Sequence, residues 1–184
     1  AKGVAHIGAL KVIEKAGIPV DIVTGTSMGS IIGGLYSCGW DAQRLDSMVR
    51  RQDWTFLLSD RDDYYTQNLG NREKQSTYAF SKTFTLNKDS RLRDAGFIQG
   101  KNLMRLFNRL TAGYTDSMSF DSLPIPFACV ATNIVDNTEY DFHSGRLAQA
   151  MRTSMSIPAA FSPVRIGDKV LVDGGLRNNY PADI

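Results

Sequence analysis

Histidine is scarce in this sequence, and its scarcity limits the chemistry that these residues support. The 184 residues contain only two histidines, His6 and His143. A catalytic triad in the chain order Ser, Asp, His needs a histidine toward the C-terminus, and none follows His143. No cysteine stands close to either histidine, so the sequence also predicts no metal site.

Cysteines, long apolar runs and excess charge are also lacking. Cys38 and Cys129 are isolated in apolar surroundings, which favours small buried side chains over a disulfide or a nucleophile. No apolar run reaches the roughly 18 residues of a membrane-spanning helix. The net charge is only +2 with 22% charged residues, which argues against nucleic acid as the main partner.

The spacing of apolar residues predicts an α/β domain. A first helix ends at Gly17, residues 20–24 form a short strand buried on both faces, and residues 30–38 form the next helix. Strand, turn and helix in this order predict a mainly parallel sheet with helical crossovers. Gly33 and Gly34 inside the second helix predict very close packing against the sheet or a ligand. The apolar residues of the first helix, spaced by three, are Val4, Ile7, Leu10 and Ile13.

The rest of the chain gives further elements and one irregular stretch. Asp41 is the predicted N-cap of a helix over 42–51. Residues 53–99 show no regular pattern; they are interpreted as an insertion that forms a lid or an acyl pocket, or as ordinary core beneath a long loop. The remaining predictions are a helix over 101–110, paired strands over 127–132 and 140–143, a helix over 147–155, and a hairpin of 164–166 with 169–172.

The most informative local feature is the pentapeptide Gly25-Thr26-Ser27-Met28-Gly29. It follows an apolar run and precedes a helical stretch, which is the context of a nucleophile elbow, a sharp turn that exposes a serine hydroxyl. A Cβ at either flanking glycine is expected to crowd the turn. We therefore predict that Ser27 is a nucleophile.

A serine hydroxyl needs a base to remove its proton, and the sequence offers few. Both histidines are more readily interpreted as structural or surface residues. Asp21 lies at the start of its predicted strand and Asp168 lies before its strand, whereas Asp173 ends one and leads into Gly174-Gly175. If the strands run parallel, Asp173 and Ser27 meet at the carboxyl edge of the sheet. We predict that Asp173 takes the proton of Ser27 and later activates the hydrolytic water.

Several segments, in this order, resemble the patatin-like phospholipase family, the lipid acyl hydrolases with a Ser–Asp dyad. Residues 25–29 resemble the serine motif of that family, and Asp173-Gly174-Gly175 resembles its Asp-Gly-Gly motif. Residues 1–10 resemble the end of its glycine-rich oxyanion loop and the helix that follows. Residues 124–127, 154–158, 161–164 and 178–181 are similar to other segments of the family.

The resemblance implies a three-layer α/β/α domain over residues 1–184, with Ser27 as nucleophile, Asp173 as base and no cofactor. It implies that Lys2 holds the basic position of the oxyanion loop and Gly3 its last glycine. The earlier glycines and the first strand of the family are not in this sequence, so we expect an excerpt that lacks them. The implied substrates are phospholipids or other lipid esters.

Other functions stay open at this point. The same dyad suits a lysophospholipase, a thioesterase or an acyltransferase, and a silent lipid-binding domain would need neither Ser27 nor Asp173. The clusters Arg50-Arg51 and Arg91-Leu92-Arg93 are interpreted as solvated faces, with peripheral membrane contact as the alternative. Bacterial members of the family are intracellular, exported or joined to an outer-membrane barrel, and the sequence favours no compartment and no oligomeric state.

Overall fold

The computed structural model describes residues 3–61 and 98–184. No helix in these two ranges has the length and apolar character needed to cross a membrane. Short 3-10 helices cover Ala112–Tyr114, Phe120–Ser122 and Gly174–Leu176. The α-helices are α1 (Val4–Lys15), α2 (Met28–Ser37), α3 (Ala42–Arg51), α4 (Trp54–Leu57), α5 (Lys101–Leu110) and α6 (Leu147–Ser154).

The strands form a mixed sheet and a small separate pair. The strands are β1 (Val23–Thr26), β2 (Met118–Ser119), β3 (Phe127–Asn133), β4 (Thr138–Phe142), β5 (Ser144–Gly145), β6 (Val164–Ile166) and β7 (Lys169–Asp173). Strand β1 runs parallel to β3, whereas β4 and β7 are antiparallel to β3, and β6 is antiparallel to β7. Strands β2 and β5 pair with each other in antiparallel fashion.

Strand β3 is the centre of the larger sheet, and all of its residues are buried. Strand β4 pairs with residues 129–133 along one edge of β3. The other edge is shared, because β1 pairs with residues 127–130 and β7 pairs with residues 131–133. Strands β1 and β7 therefore run toward each other along this edge, and their carboxyl ends face each other at its middle.

Helix α2 packs closely on the sheet and on α6, as its two glycines predicted. A Cβ on Gly33 would lie 2.8 Å from Cγ1 of Val23, and a Cβ on Gly34 would lie 2.9 Å from Sδ of Met151. A larger residue at position 33 would push α2 away from β1, and one at position 34 would displace the Met151 side chain of α6. The position of the first residues of α2 relative to the sheet thus depends on these two glycines.

Most predicted elements are confirmed, several with bounds that differ by one or two residues, and the first strand begins three residues later than predicted. The helices over 42–51 and 101–110 have the predicted bounds, and the Asp41 carboxylate accepts a hydrogen bond from the Arg44 N–H at 2.6 Å. The first strand begins at Val23, whose N–H donates to the Pro126 carbonyl at 2.9 Å. Residues 20–22 precede this pairing and Ile22 is 67% exposed, so the predicted strand buried on both faces is wrong there.

The irregular stretch over 53–99 is described only at its two ends. Asp53 caps the short helix α4 by accepting from the Phe56 N–H at 3.1 Å. At the other end, Ile98 forms a parallel bridge with Phe161. Residues 62–97 lie outside the described residues, so the lid and acyl-pocket interpretations stay predictions.

Candidate active site

Ser27 occupies the turn between β1 and α2 in a strained backbone conformation. Its φ of 56° and ψ of −120° lie in a region that costs a residue with a Cβ about 1–3 kcal/mol. The N–H of Ser27 donates to Ser154 Oγ at 2.9 Å. Its carbonyl accepts from the N–H of Ser30 at 3.0 Å and from the Ser30 hydroxyl at 2.6 Å. These three hydrogen bonds oppose relaxation of the turn.

Asp173 is the last residue of β7, and its carboxylate contacts the Ser27 hydroxyl. Ser27 Oγ donates a 2.5 Å hydrogen bond to Oδ2, while Oδ1 accepts from the Gly175 N–H at 2.8 Å. The N–H of Asp173 donates to the Ser156 carbonyl at 2.9 Å, and the residue is only 7% exposed. A carboxylate fixed at this distance from a hydroxyl has the geometry required of a general base.

Strand β7 runs in the direction opposite to the one that we predicted. We predicted that Asp173 meets Ser27 because their strands run parallel, but β7 is antiparallel to β3 and hence to β1. The side chains meet because the two strands end face to face. Thr26 pairs with Val130 of β3, and Asp173 pairs with the next residue, Ala131.

Gly174 lies where the ends of β1 and β7 meet. A Cβ on Gly174 would collide with the Val130 carbonyl oxygen and would lie 3.1 Å from Cγ2 of Thr26. The Thr26 hydroxyl donates to the Asn178 carbonyl at 2.8 Å, which ties the end of β1 to the segment after Asp173. The first glycine of the Asp-Gly-Gly sequence is therefore required because there is no space for a Cβ. The second, Gly175, donates its N–H to the Asp173 carboxylate.

The two glycines of the elbow are not equivalent. A Cβ on Gly25 would lie 2.5 Å from the Gly29 carbonyl oxygen and 2.7 Å from the Ser30 nitrogen. A Cβ on Gly29 would meet only Nε2 of His6, at 4.0 Å, among the residues that the structure describes. The expectation that a Cβ at either position crowds the turn is correct for Gly25 and wrong for Gly29.

Gly25→Ala is expected to lower the free energy of unfolding by about 2–3 kcal/mol, because backbone atoms must move to accept the methyl group. Gly29→Ala is the matched control and is expected to stay within about 0.5 kcal/mol of wild type. Denaturant titration of both variants measures the difference. Equal stabilities for the two variants would contradict this account of the elbow.

Gly3 lies beside the elbow, next to the residue that follows Ser27. A Cβ on Gly3 would lie 2.6 Å from Cβ of Met28, the first residue of α2. The first N–H groups of a helix have no acceptor within the helix. The N–H of the residue after a nucleophilic serine is a common oxyanion donor, and Gly3 packs against the residue after Ser27. Lys2 lies outside the described residues.

Among the described residues, neither the histidines nor the other candidate carboxylates form a hydrogen bond with the Ser27 hydroxyl. Neither histidine side chain is hydrogen-bonded to Ser27 within residues 3–61 and 98–184: His6 lies on α1 and His143 lies between β4 and β5. Asp21 is exposed before β1, and Asp168 is exposed in the turn between β6 and β7. Among the predicted bases, the structure brings only Asp173 to the Ser27 hydroxyl.

The cysteines are poor nucleophiles in this environment. Burial raises the pKa of the Cys38 thiol to about 11, and burial also raises the pKa of Cys129, which is fully buried. The thiolate is the reactive form of cysteine. Both side chains are therefore protonated thiols at neutral pH. The prediction of a small buried residue is confirmed for Cys129, whereas Cys38 is only partly buried.

Two grooves lie on the described surface; the first adjoins the elbow, and neither is lined by Ser27 or Asp173. One groove of about 350 Å³ passes between α1 and β1, and a second of about 520 Å³ lies along α3. Of the two basic clusters, Arg50-Arg51 lies on α3, where Arg50 pairs with Asp46 at 2.9 Å. The other cluster, residues 91–93, lies outside the described ranges. The first groove is lined by His6, Leu10, Gly25, Thr26, Gly29 and Tyr180, among others.

The Patatin-like phospholipase family matches residues 1–184, and the chain belongs to this family. It is 28% identical over 181 residues to lysophospholipase NTE1 of Debaryomyces hansenii, a match that covers 98% of this chain and 10% of that protein. It is 30% identical over 186 residues to patatin-like phospholipase domain-containing protein 6 of Mus musculus, covering 100% of this chain and 12% of that protein. The chain thus spans only about a tenth of the length of these two relatives.

The fold is similar to that of VipD from Legionella pneumophila, with a TM-score of 0.60 at 16% sequence identity. The likeness covers 98% of this chain and 45% of the VipD chain. Together with the family match, this likeness confirms the predicted α/β class and patatin fold.

Proposed function

We propose that this chain is the catalytic part of a serine lipid acyl hydrolase of the phospholipase A type, which cleaves fatty acyl esters with Ser27 as nucleophile and Asp173 as base. The observation that carries the proposal is the 2.5 Å hydrogen bond from Ser27 Oγ to Asp173 Oδ2 at a strained strand-to-helix turn. Membership of the patatin-like phospholipase family supports lipid esters as the substrate class.

The first half of the reaction transfers the acyl group to the enzyme. Ser27 Oγ attacks the ester carbonyl carbon while its proton passes to Asp173 Oδ2. The tetrahedral intermediate then collapses, the bond to the alcohol oxygen breaks, and that oxygen leaves with the proton held by Asp173. The products of this half are the free alcohol and an ester between Ser27 and the acyl group.

The second half releases the acyl group to water. Asp173 accepts a proton from a water molecule, whose oxygen attacks the acyl carbonyl carbon. Collapse of the second intermediate breaks the bond to Ser27 Oγ, and the proton returns from Asp173 to this oxygen. The fatty acid leaves, and both side chains regain their starting states.

Both intermediates carry an oxyanion that needs hydrogen-bond donors. We assign one donor to the Met28 N–H at the start of α2, and others to the loop that ends at Lys2 and Gly3. The contact between Gly3 and Met28 supports this assignment because it brings Gly3, the end of that loop, to the residue after Ser27. Removal of one such donor lowers kcat by about 10²- to 10³-fold in other enzymes.

A lysophospholipase is the second candidate, and the 28% identity to lysophospholipase NTE1 favours it over a thioesterase or an acyltransferase. The same dyad serves all of these reactions, which differ in the leaving group or the acyl acceptor. A silent lipid-binding domain would not require the contact between Ser27 and Asp173.

A panel of substrates tests the proposal directly. The complete protein is incubated with diacyl phospholipids, lysophospholipids and acyl thioesters, and the released fatty acids are measured by mass spectrometry. We expect fatty acid release from diacyl phospholipid. Faster release from lysophospholipid supports the second candidate instead, and no release from any ester supports a silent domain.

A further inference from the structure

The segment from Ser154, the last residue of α6, to Ser156 contacts both Ser27 and Asp173. The N–H of Ser27 donates to Ser154 Oγ at 2.9 Å, and the N–H of Asp173 donates to the Ser156 carbonyl at 2.9 Å. The side chain of Ser154 and the backbone of Ser156 thus fix the nucleophile and the base from one short segment. The Met155 side chain lies between them in sequence and is buried in the core.

We propose that Ser154 is a positioning residue that holds Ser27 in its reactive conformation, an inference that rests on the proposed function. Ser27 lies just beyond the last β1–β3 pair, Thr26 with Val130, so the sheet offers its N–H no acceptor. Ser154 supplies this acceptor through its side chain. Ser154 is fully buried, so water does not readily replace its hydroxyl if that hydroxyl is removed.

The position of Ser154 is itself fixed by a buried hydrogen-bond network. Nη1 of Arg152 donates to Ser156 Oγ at 2.5 Å, and Ser156 Oγ donates back to the Arg152 carbonyl at 2.9 Å. Nη2 of Arg152 donates to the Gln99 carbonyl at 2.9 Å, and the guanidinium lies 4.8 Å from the centre of the Phe161 ring. The end of α6 is therefore held in place on both sides of Ser154, and the Ser154 hydroxyl has a defined location.

Ser154→Ala is expected to lower kcat by about 10- to 100-fold, because the strained turn then lacks the hydrogen bond that opposes its relaxation. The KM is expected to stay unchanged, because Ser154 is buried and touches no substrate. The pH dependence is also expected to stay unchanged, because Asp173 keeps its hydrogen bonds to Gly175 and Ser156. A loss confined to kcat is the signature of positioning rather than of substrate binding.

Labelling with a fluorophosphonate probe separates positioning from misfolding. For wild type and Ser154→Ala, both the rate constant of labelling at Ser27 and its end point are measured, alongside p-nitrophenyl butyrate turnover. Ser37→Ala is the matched control, since Ser37 is a fully buried serine of α2 whose hydroxyl has no hydrogen-bond partner in the described part of the chain. This control is expected to match wild type in both quantities.

The inference predicts a full end point with a rate constant lowered about 10- to 100-fold in Ser154→Ala only. A reduced end point with an unchanged rate constant overturns it, because Ser154 then affects only the folded fraction. An unchanged rate constant at a full end point, or an equal loss in Ser37→Ala, also overturns it. A wild-type protein that takes no label at Ser27 overturns the proposed function as well, so the two failures are distinguishable.

Discussion

Ser27→Ala is expected to lower lipid ester hydrolysis by at least about 10⁴-fold, because the variant lacks the hydroxyl that takes the acyl group in the proposed reaction. The serine hydroxyl is the only one that the structure places within hydrogen-bond distance of the Asp173 carboxylate among the described residues. Fatty acid release from diacyl phospholipid, with the complete protein at matched concentrations, measures the effect. Hydrolysis within tenfold of wild type would show that another residue is the nucleophile.

Ser27→Gly adds a test of the strained backbone at the same position. Both variants lose the hydroxyl, but only glycine adopts a φ of 56° with a ψ of −120° readily. We expect Ser27→Gly to have a free energy of unfolding about 1 kcal/mol higher than that of Ser27→Ala. Glycine removes the backbone strain of about 1–3 kcal/mol that alanine keeps. Its greater flexibility in the unfolded chain offsets part of this gain. Chemical denaturation of the two inactive variants gives the difference. An Ala variant as stable as the Gly variant would mean that the elbow stores no strain.

Asp173→Asn is expected to lower kcat by about 10²- to 10⁴-fold, which is the usual contribution of a general base. The amide keeps the shape of the carboxylate and an oxygen that accepts from the Gly175 N–H. It does not accept a proton at neutral pH, so Ser27 remains a hydroxyl during attack. Initial rates of ester hydrolysis at saturating substrate give the change in kcat.

Asp168→Asn is the matched control for this prediction. It removes the same charge just before the first residue of β7, at the end opposite Asp173, where the carboxylate is exposed and lies 3.9 Å from Lys169 Nζ. An exposed ion pair of this kind contributes little, so turnover and stability are expected to match wild type. If Asp173→Asn behaves like this control, Asp173 is not the base.

The local elements of the fold were predictable because their signals are local. The cap of Asp41, the spacing of the apolar residues in α5 and the turn at Gly25–Gly29 each depend on residues within a few positions of one another. The order of the strands in the sheet depends instead on residues that are far apart in the sequence. The sequence predicted a hairpin of β6 and β7. It did not predict that β1 and β7 pair with the same edge of β3, β1 with its first half and β7 with its second half.

The candidate site was predictable only where a motif marks it. Ser27 and Asp173 each stand in a recognisable short sequence, and the resemblance to the family covers both. Ser154 also stands in a segment that resembles the family, but nothing in that segment indicates its role, because its hydrogen bond joins residues 127 positions apart and depends on the packing of α6. For Gly29 the motif predicted too much. It led us to expect that a Cβ would crowd the turn, but the space around Gly29 accepts a Cβ.

The central claim is that a carboxylate, and not an imidazole, takes the proton of Ser27. The most direct measurement compares ester turnover in the double variant His6→Gln/His143→Gln, which removes both histidines of this chain, with turnover in Asp173→Asn. The account predicts that the double variant stays within about tenfold of wild type while Asp173→Asn loses about 10²- to 10⁴-fold. A double variant as inactive as Asp173→Asn, or an Asp173→Asn variant as active as the double variant, would contradict it.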